Sequence, residues 1–381
     1  MEVYLDNSAT TMPYEEVIED VCSTMRNYYG NPSATHSLGF KSEQKLREIR
    51  ANIASSINAT SEEIIFTSGG SESNNFLIKG FAKSTSHIIT TKIEHPSVGN
   101  TFKALEDLGA KVTYIDVDAS GRINMQQLKE SITKNTQIVS IMHVNNEVGV
   151  IQDLELIGKL IKAESNRAKF HVDAVQSYGK IPIDVEKYNI DLLSTSAHKI
   201  HGPRGIGFAY VRKGLIPNSL INGGGQERNL RSGTENLAGI VGFGTAVKMM
   251  FKNQQENFNN VLEIKKYFID ELSQLHDVII NSKLEAHFTP YILSASFKGV
   301  KGEVLLHSLE EKGIYVSTGS ACSAKNPNKN SEVLRALGRN LEEQKGTIRF
   351  SFSQYNNKEQ IDYVISELDK SLKFLRKLNI R

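Results

Sequence analysis

The sequence predicts an α/β fold in two parts: a large unit with a mainly parallel sheet covered by helices on both faces, and a smaller α+β unit. Three observations carry that expectation. Between residues 64 and 193 short apolar runs alternate with helical segments, the pattern of repeated strand–helix crossovers. Polar and glycine-rich stretches follow several of these runs, where parallel strands gather the loops of their carboxyl ends. After about residue 274 the regular alternation stops and gives way to spaced strands and helices. Residues 16–255 are expected to form the large domain, and residues 1–15 with 256–381 the small one.

Taken in order, the chain opens with a short strand-like piece over residues 4–11. Pro13 then fixes the backbone for a helix over about 14–28. Val17, Ile18, Val21, Cys22 and Met25 recur there at helical spacing, so Cys22 is expected to be a small core residue. Residues 30–36 hold too many turn formers for an element, and an amphipathic helix to about Asn58 follows. Strands are expected at 64–67, 87–91, 112–115, 138–142, 170–172 and 190–193. A further strand at 207–211 is expected to run antiparallel, because its connection is short. The helical stretch 236–274 is broken near 254–257. Beyond it lie strands at 278–280, 292–297 and 347–352 and helices at 302–312 and 358–378.

With 381 residues, 39% of them hydrophobic, the chain has material for a large core and two domains. Its 45 basic and 43 acidic residues leave a net charge of +2, which gives no reason to expect direct nucleic-acid binding. The first residues have neither a basic nor an apolar leader region, and no apolar run approaches a membrane span; a soluble cytoplasmic protein is expected. Two distant cysteines, Cys22 and Cys322, form neither a disulfide framework nor a metal cluster, so no metal site is expected.

Two turns stand out chemically. The run ending at Asp173 presents a carboxylate at a strand end, and Ser194–Thr195–Ser196–Ala197–His198–Lys199 presents a lysine flanked by hydroxyls and a histidine. Pyridoxal 5'-phosphate (PLP) needs an amine to attach its aldehyde and a carboxylate to hold the proton on its ring nitrogen, and this pair suits it. Thr67 to Asn75 follows a strand and opens a helix. Its glycines admit an anion, and Ser71 with the free helix-start N–H groups can hold a phosphate, although Ser71 and Glu72 also suit an ordinary cap.

Other stretches have two readings each. His95, after the second strand of the alternating region, is placed either to stack on a cofactor ring and move protons or to hold its own turn. Asn145–Asn146–Glu147–Val148–Gly149 offers an amide to ligand oxygen atoms or is turn chemistry. The glycine-rich, basic residues 223–234 form a surface loop or close over a phosphate, in their own subunit or across a dimer. Arg349 lies on an alternating strand and offers a planar fork to a carboxylate, or is a surface arginine. Cys322 sits among small residues with lysines nearby, so an exposed, readily ionised thiol is expected, and it is the better nucleophile candidate.

In this order these stretches resemble the cysteine desulfurases of the NifS/IscS type, PLP enzymes of class V with the type I fold. The resemblance includes Tyr4 to Thr11, Gly30–Asn31–Pro32, Thr67 to Asn75, His143 to Glu147, His171 to Ser177, Ser196 to Lys199, Arg231 to Thr234 and Gly319–Ser320–Ala321–Cys322. It implies Lys199 as the lysine that binds PLP, Asp173 on the ring nitrogen, Gln176 on the phenolic oxygen and His95 stacked on the ring. Gly70, Ser71, Ser196 and His198 would hold the phosphate, with Thr234 reaching in from the second subunit of a homodimer. Asn146 and Arg349 would take the carboxylate of L-cysteine, and Cys322 would accept its sulfur and pass it to an iron–sulfur scaffold or a tRNA thiolation enzyme. The family usually has threonine where Ser71 stands, and the lysine-containing run 324–330 also departs from many relatives. Another PLP lyase or transaminase of this fold, such as selenocysteine lyase, shares all but the cysteine, and a non-catalytic sulfur carrier or scaffold would keep the fold without the chemistry.

Overall fold

The computed structural model describes residues 1–318 and 331–379. The chain begins with β1 (Val3–Tyr4), α1 (Glu15–Asn27) and α2 (Ser37–Ser55). It then alternates through β2 (Ile64–Thr67), α3 (Gly70–Phe81), β3 (His87–Thr91), α4 (Pro96–Asp107), β4 (Lys111–Ile115), α5 (Met125–Ser131), β5 (Thr136–Met142), α6 (Leu154–Glu164) and β6 (Lys169–Asp173). Two more strands follow, β7 (Leu192–Ser194) and β8 (Gly207–Val211).

Strands β2 to β8 form one sheet in the order β2-β8-β7-β6-β5-β3-β4. Only β8 runs against its neighbours, pairing antiparallel with both β2 and β7, while the other pairs are parallel. Strands β2 to β7 therefore all open their carboxyl ends on the same edge, as the alternation predicts. Neighbouring residues along each strand enter opposite cores, because strand side chains alternate across the sheet. Phe66, Ile89 and Val139 join α2, α6 and the later helix α7 (Leu237–Lys252) on one face. Ile65 packs with Phe76 and Leu77 of α3, and Ile88 and Ile138 pack with Val98 and Phe102 of α4, on the other.

The helical stretch after the sheet breaks at Asn253, between α7 and α8 (Gln254–Leu272). Next come β9 (Val278–Ile280), β10 (Ile292–Phe297), α9 (Gly302–Glu310), β11 (Ile314–Tyr315), α10 (Glu332–Ala336), α11 (Leu341–Lys345), β12 (Thr347–Ser351) and α12 (Lys358–Asn379). An antiparallel sheet β12-β10-β9 packs its apolar face on α8 and α12, and β1 pairs in parallel with β11. The amino-terminal residues Val3 and Leu5 thus belong to the second core, with Phe268, Leu293, Phe350 and Leu368.

Two expectations are corrected. The strand expected over residues 4–11 is confined to Val3–Tyr4, the part that pairs with β11. Cys22 is exposed, not a core residue, and so are Ile18 and Met25. Helix α1 packs on α7 through the single stripe Val17, Val21 and Thr24, at intervals of four and three residues. The neighbouring stripe of Ile18, Cys22 and Met25 is turned by about one residue, roughly 100°, away from that contact. Periodicity gave the width of the apolar arc but not the part of it that a single partner helix covers.

Candidate active site

Most of the residues singled out in the sequence meet in one cavity of 340 Å³ at the carboxyl edge of the large sheet. Gly70 and Ser71 come from the turn after β2, His95 from the turn after β3, and Asn146 from the turn after β5. Asp173 is the last residue of β6, with Gln176 just beyond, and Ser196, His198 and Lys199 follow β7. Arg349 reaches in from β12, and Ser8 and Ala9 from the turn after β1. Thr234 is not among them; it lines a separate hollow with Tyr28, Asn31 and Arg204. Cys322 lies outside the described residues.

The acid is held by a network that sequence reasoning missed. Asp173 is 4% exposed, and its carboxylate accepts from the Asn74 amide at 2.8 Å and from the Val175 N–H at 3.0 Å. The same Asn74 amide donates to Ser97 Oγ at 2.8 Å, and Ser97 Oγ lies 2.8 Å from His95 Nδ1. His95 caps α4 by accepting from the Ser97 N–H, which fixes its ring at the site. Burial and the nearby Lys199 charge hold the imidazole below its ordinary range against the pull of Asp173. Asn74 stood in the sequence next to the equally polar Asn75; only the turn of α3 buries the first and leaves the second half-exposed.

Lys199 sits in a tight 3-10 turn, Ala197–Lys199, and its Nζ donates to the carbonyls of Ser8 at 2.5 Å and Ala9 at 2.7 Å. Gln176 Nε2 donates to the same Ser8 carbonyl at 2.9 Å. Gln176 Oε1 is buried with no hydrogen-bond partner among the described residues. Positive groups crowd this wall. Burial, reinforced by Lys199 and Arg349, pushes the buried Lys180 ammonium down to about 7, and burial with Lys199, Arg204 and Lys180 pushes His198 down to about 4.

The cavity continues into a second hollow of 330 Å³ lined by Thr10, Ser68, Gly69, Gly70, Ser71, Glu72, Ser196, His198, Arg204 and Gly205. Here Gly69 takes φ of +143°, a conformation open to glycine, and directs the start of α3 at the hollow. A Cβ on Gly70 would lie 2.5 Å from Val175 Cγ2, so a larger residue there would have to displace the Val175 side chain. On the opposite side of the main cavity, Arg349 is 3% exposed and donates to the Asn146 carbonyl at 2.9 Å and to Asp6 at 2.8 Å. Its Nε is buried and without a hydrogen-bond partner among the described residues.

These residues fit PLP. A lysine and a buried, donor-held carboxylate face one cavity, Gln176 lines it with a buried Oε1 that has no partner among the described residues, and a hydroxyl- and N–H-rich hollow with an arginine and a histidine adjoins it for an anion. Among the described residues no group of three or more metal-ligating side chains forms, and no helix is long and apolar enough to cross a membrane.

The family model described as aminotransferase class-V matches residues 3–364. The chain is 42% identical to the cysteine desulfurase IscS of Dictyoglomus turgidum, over 99% of this chain and 96% of that protein. It is 40% identical to a protein of Lactobacillus delbrueckii named as a NifS homologue, over 99% of both. Among solved structures it is similar to a NifS-like protein, with 38% identity and a TM-score of 0.92 over 98% of this chain and all of that one. The apo cysteine desulfurase of Thermococcus onnurineus is similar too, at 27% identity and a TM-score of 0.87, over 98% of this chain and 95% of that one. With the type I fold, a cavity whose lining residues fit PLP and this likeness along its whole length, the chain belongs to the aminotransferase class-V family and, within it, to the PLP-dependent cysteine desulfurases of the NifS/IscS type.

Proposed function

We propose that this chain takes sulfur from L-cysteine, releases L-alanine, and carries the sulfur as a persulfide on Cys322 for delivery to an acceptor. The observation that carries the reading is the convergence of Lys199, Asp173, Gln176, His95, Asn146 and Arg349 on one cavity. PLP, when bound, supplies an aldehyde for covalent attachment and an electron-accepting ring that labilises bonds at the substrate Cα and Cβ. Lys199 would hold the cofactor and move the proton at the substrate Cα. Asp173, kept in place by Asn74, would hold the proton on the ring nitrogen, and Gln176 would meet the phenolic oxygen. His95 would stack on the ring. Gly70, Ser71, Ser196 and His198 would hold the phosphate.

Arg349 gives the fork for the substrate carboxylate, beside Asn146. The Cys322 thiolate attacks the substrate sulfur, the Cβ–S bond breaks, and the carbon left behind is protonated to alanine. A neighbour at 35% identity was solved in complex with cysteine, which supports the substrate. The reading extends to a homodimer in which Thr234, exposed on its own subunit, completes the partner's phosphate site, and to a cytoplasmic protein that serves an iron–sulfur scaffold or a tRNA thiolation enzyme. The two cores support a large domain of residues 16–255 and a small one of residues 1–15 and 256–381.

The test is incubation of the PLP-loaded protein with L-cysteine, followed by intact-mass and peptide analysis. One added sulfur on Cys322 with matching alanine is expected. In Cys322→Ala the visible PLP band should persist while sulfur release stops. Undiminished release from that variant would refute the role of Cys322 and favour a lyase of the same fold.

A further inference from the structure

Glu72 stands in a place that should oppose its neighbours. Glu72 lines the hollow together with Ser71, Ser196, His198 and Arg204, where the phosphate is proposed to sit. Two anions in one half-enclosed hollow repel each other, and more strongly as water is excluded. Yet Glu72 is useful to the turn: its Oε2 accepts from the Ser68 N–H at 2.9 Å, at the start of a helix where a negative side chain is favourable.

Arg231 resolves the conflict. Its Nε donates to Glu72 Oε1 at 2.7 Å and its Nη2 to Oε2 at 3.3 Å, a two-pronged pair with side chains 23% and 12% exposed. Burial pushes the Glu72 carboxyl up, but the bonds from Arg231 and Ser68 outweigh it and hold the group below its ordinary range, so Glu72 is ionised at neutral pH. Arg231 does not line the hollow itself, so its bonded link to whatever sits there runs through Glu72. The further acid that acts on Arg231, Glu227, is already committed to Arg50 and to the Phe66 N–H.

We propose that Arg231 is a positioning residue for phosphate recognition, neutralising the carboxylate that the first turn of α3 would otherwise present to the phosphate of PLP. The inference rests on the reading of this hollow as the phosphate end of the site. Pyridoxal, which lacks the phosphate, isolates the effect.

The experiment compares the purified holoenzyme with Arg231→Gln, Arg231→Lys, Glu72→Gln and the double variant Arg231→Gln/Glu72→Gln. Cofactor is removed and PLP or pyridoxal is titrated back, with uptake followed by visible absorbance. Arg231→Gln should bind PLP about tenfold more weakly, the scale of one lost charge-assisted contact, with pyridoxal uptake unchanged. Adding Glu72→Gln should restore PLP binding to near the starting value, and Arg231→Lys should fall between. Equal loss of PLP and pyridoxal in Arg231→Gln, no loss of either, or no rescue in the double variant would overturn the proposal. Failure of the unmutated chain to take up PLP at all would instead refute the site reading, and this inference with it.

Discussion

The amide of Asn74 holds the carboxylate of Asp173 at 2.8 Å while donating at the same distance to Ser97, the hydroxyl that meets His95. One buried side chain thereby fixes both the group proposed for the cofactor nitrogen and the ring proposed to stack on the cofactor. Asn74→Ala removes a hydrogen bond to a buried charge, which is worth about 1.5–3 kcal/mol. PLP affinity, read by titration of the visible band, should fall by roughly 10- to 100-fold. An unchanged titration would show that the Val175 N–H alone suffices to hold Asp173.

Arg349 is tied to Asp6 and to the Asn146 carbonyl, so its fork is already oriented before substrate arrives. Arg349→Lys keeps the charge but loses the planar geometry. Its KM for L-cysteine should rise by about tenfold or more with a smaller change in kcat, measured by alanine release. A change confined to kcat would place the substrate carboxylate elsewhere.

Glu94 accepts from Thr91 Oγ1 at 2.8 Å and from the Met142 N–H at 3.0 Å, while its Oε2 is buried without a hydrogen-bond partner among the described residues. Burial, reinforced by Asp173, pushes its carboxyl up to about 8. The folded state therefore binds this proton more tightly than the unfolded chain does. That contribution is complete below the ordinary glutamate value of 4.5 and is lost as pH rises toward 8. Relative to the native chain, Glu94→Gln should gain stability on going from pH 5 to pH 8, on the order of 3 kcal/mol. Thermal unfolding of the two proteins at both pH values measures it, and parallel pH profiles would refute the assignment.

Gly207 and Gly99 should respond oppositely to alanine. A Cβ on Gly207 would lie 2.5 Å from the Thr195 carbonyl oxygen and 2.7 Å from Gly69 Cα, both backbone atoms beside the phosphate hollow. Gly207→Ala should cost about 1–3 kcal/mol and weaken PLP binding. Gly99 lies within α4 with nothing within 4 Å of its Cβ position, so Gly99→Ala should stabilise by about 0.5–1 kcal/mol. Unfolding midpoints of the two variants decide the matter.

Much of the fold was legible because its signals are local and repeated. The strands from Ile64 to Val211 are apolar runs separated by periodic helices, and even the antiparallel β8 followed from a short connection. The short elements were not legible: β11 and the five-residue α10 and α11 hold too few residues to show a period. For Cys22, helical spacing could not say which stripe of α1 faces α7.

The sequence by itself determined the chemical vocabulary of the site: a lysine, an acid, a histidine, an arginine and a glycine turn, each placed after or on a strand. Only the tertiary structure decided how they are held. The carbonyls of Ser8 and Ala9 meet Lys199 across some 190 residues, Asp6 braces Arg349 from the other end of the chain, and Arg231 answers Glu72 from a distant loop. Such partners leave no periodic trace, because a hydrogen bond or ion pair depends on where two surfaces meet after folding and not on the spacing of residues along the chain.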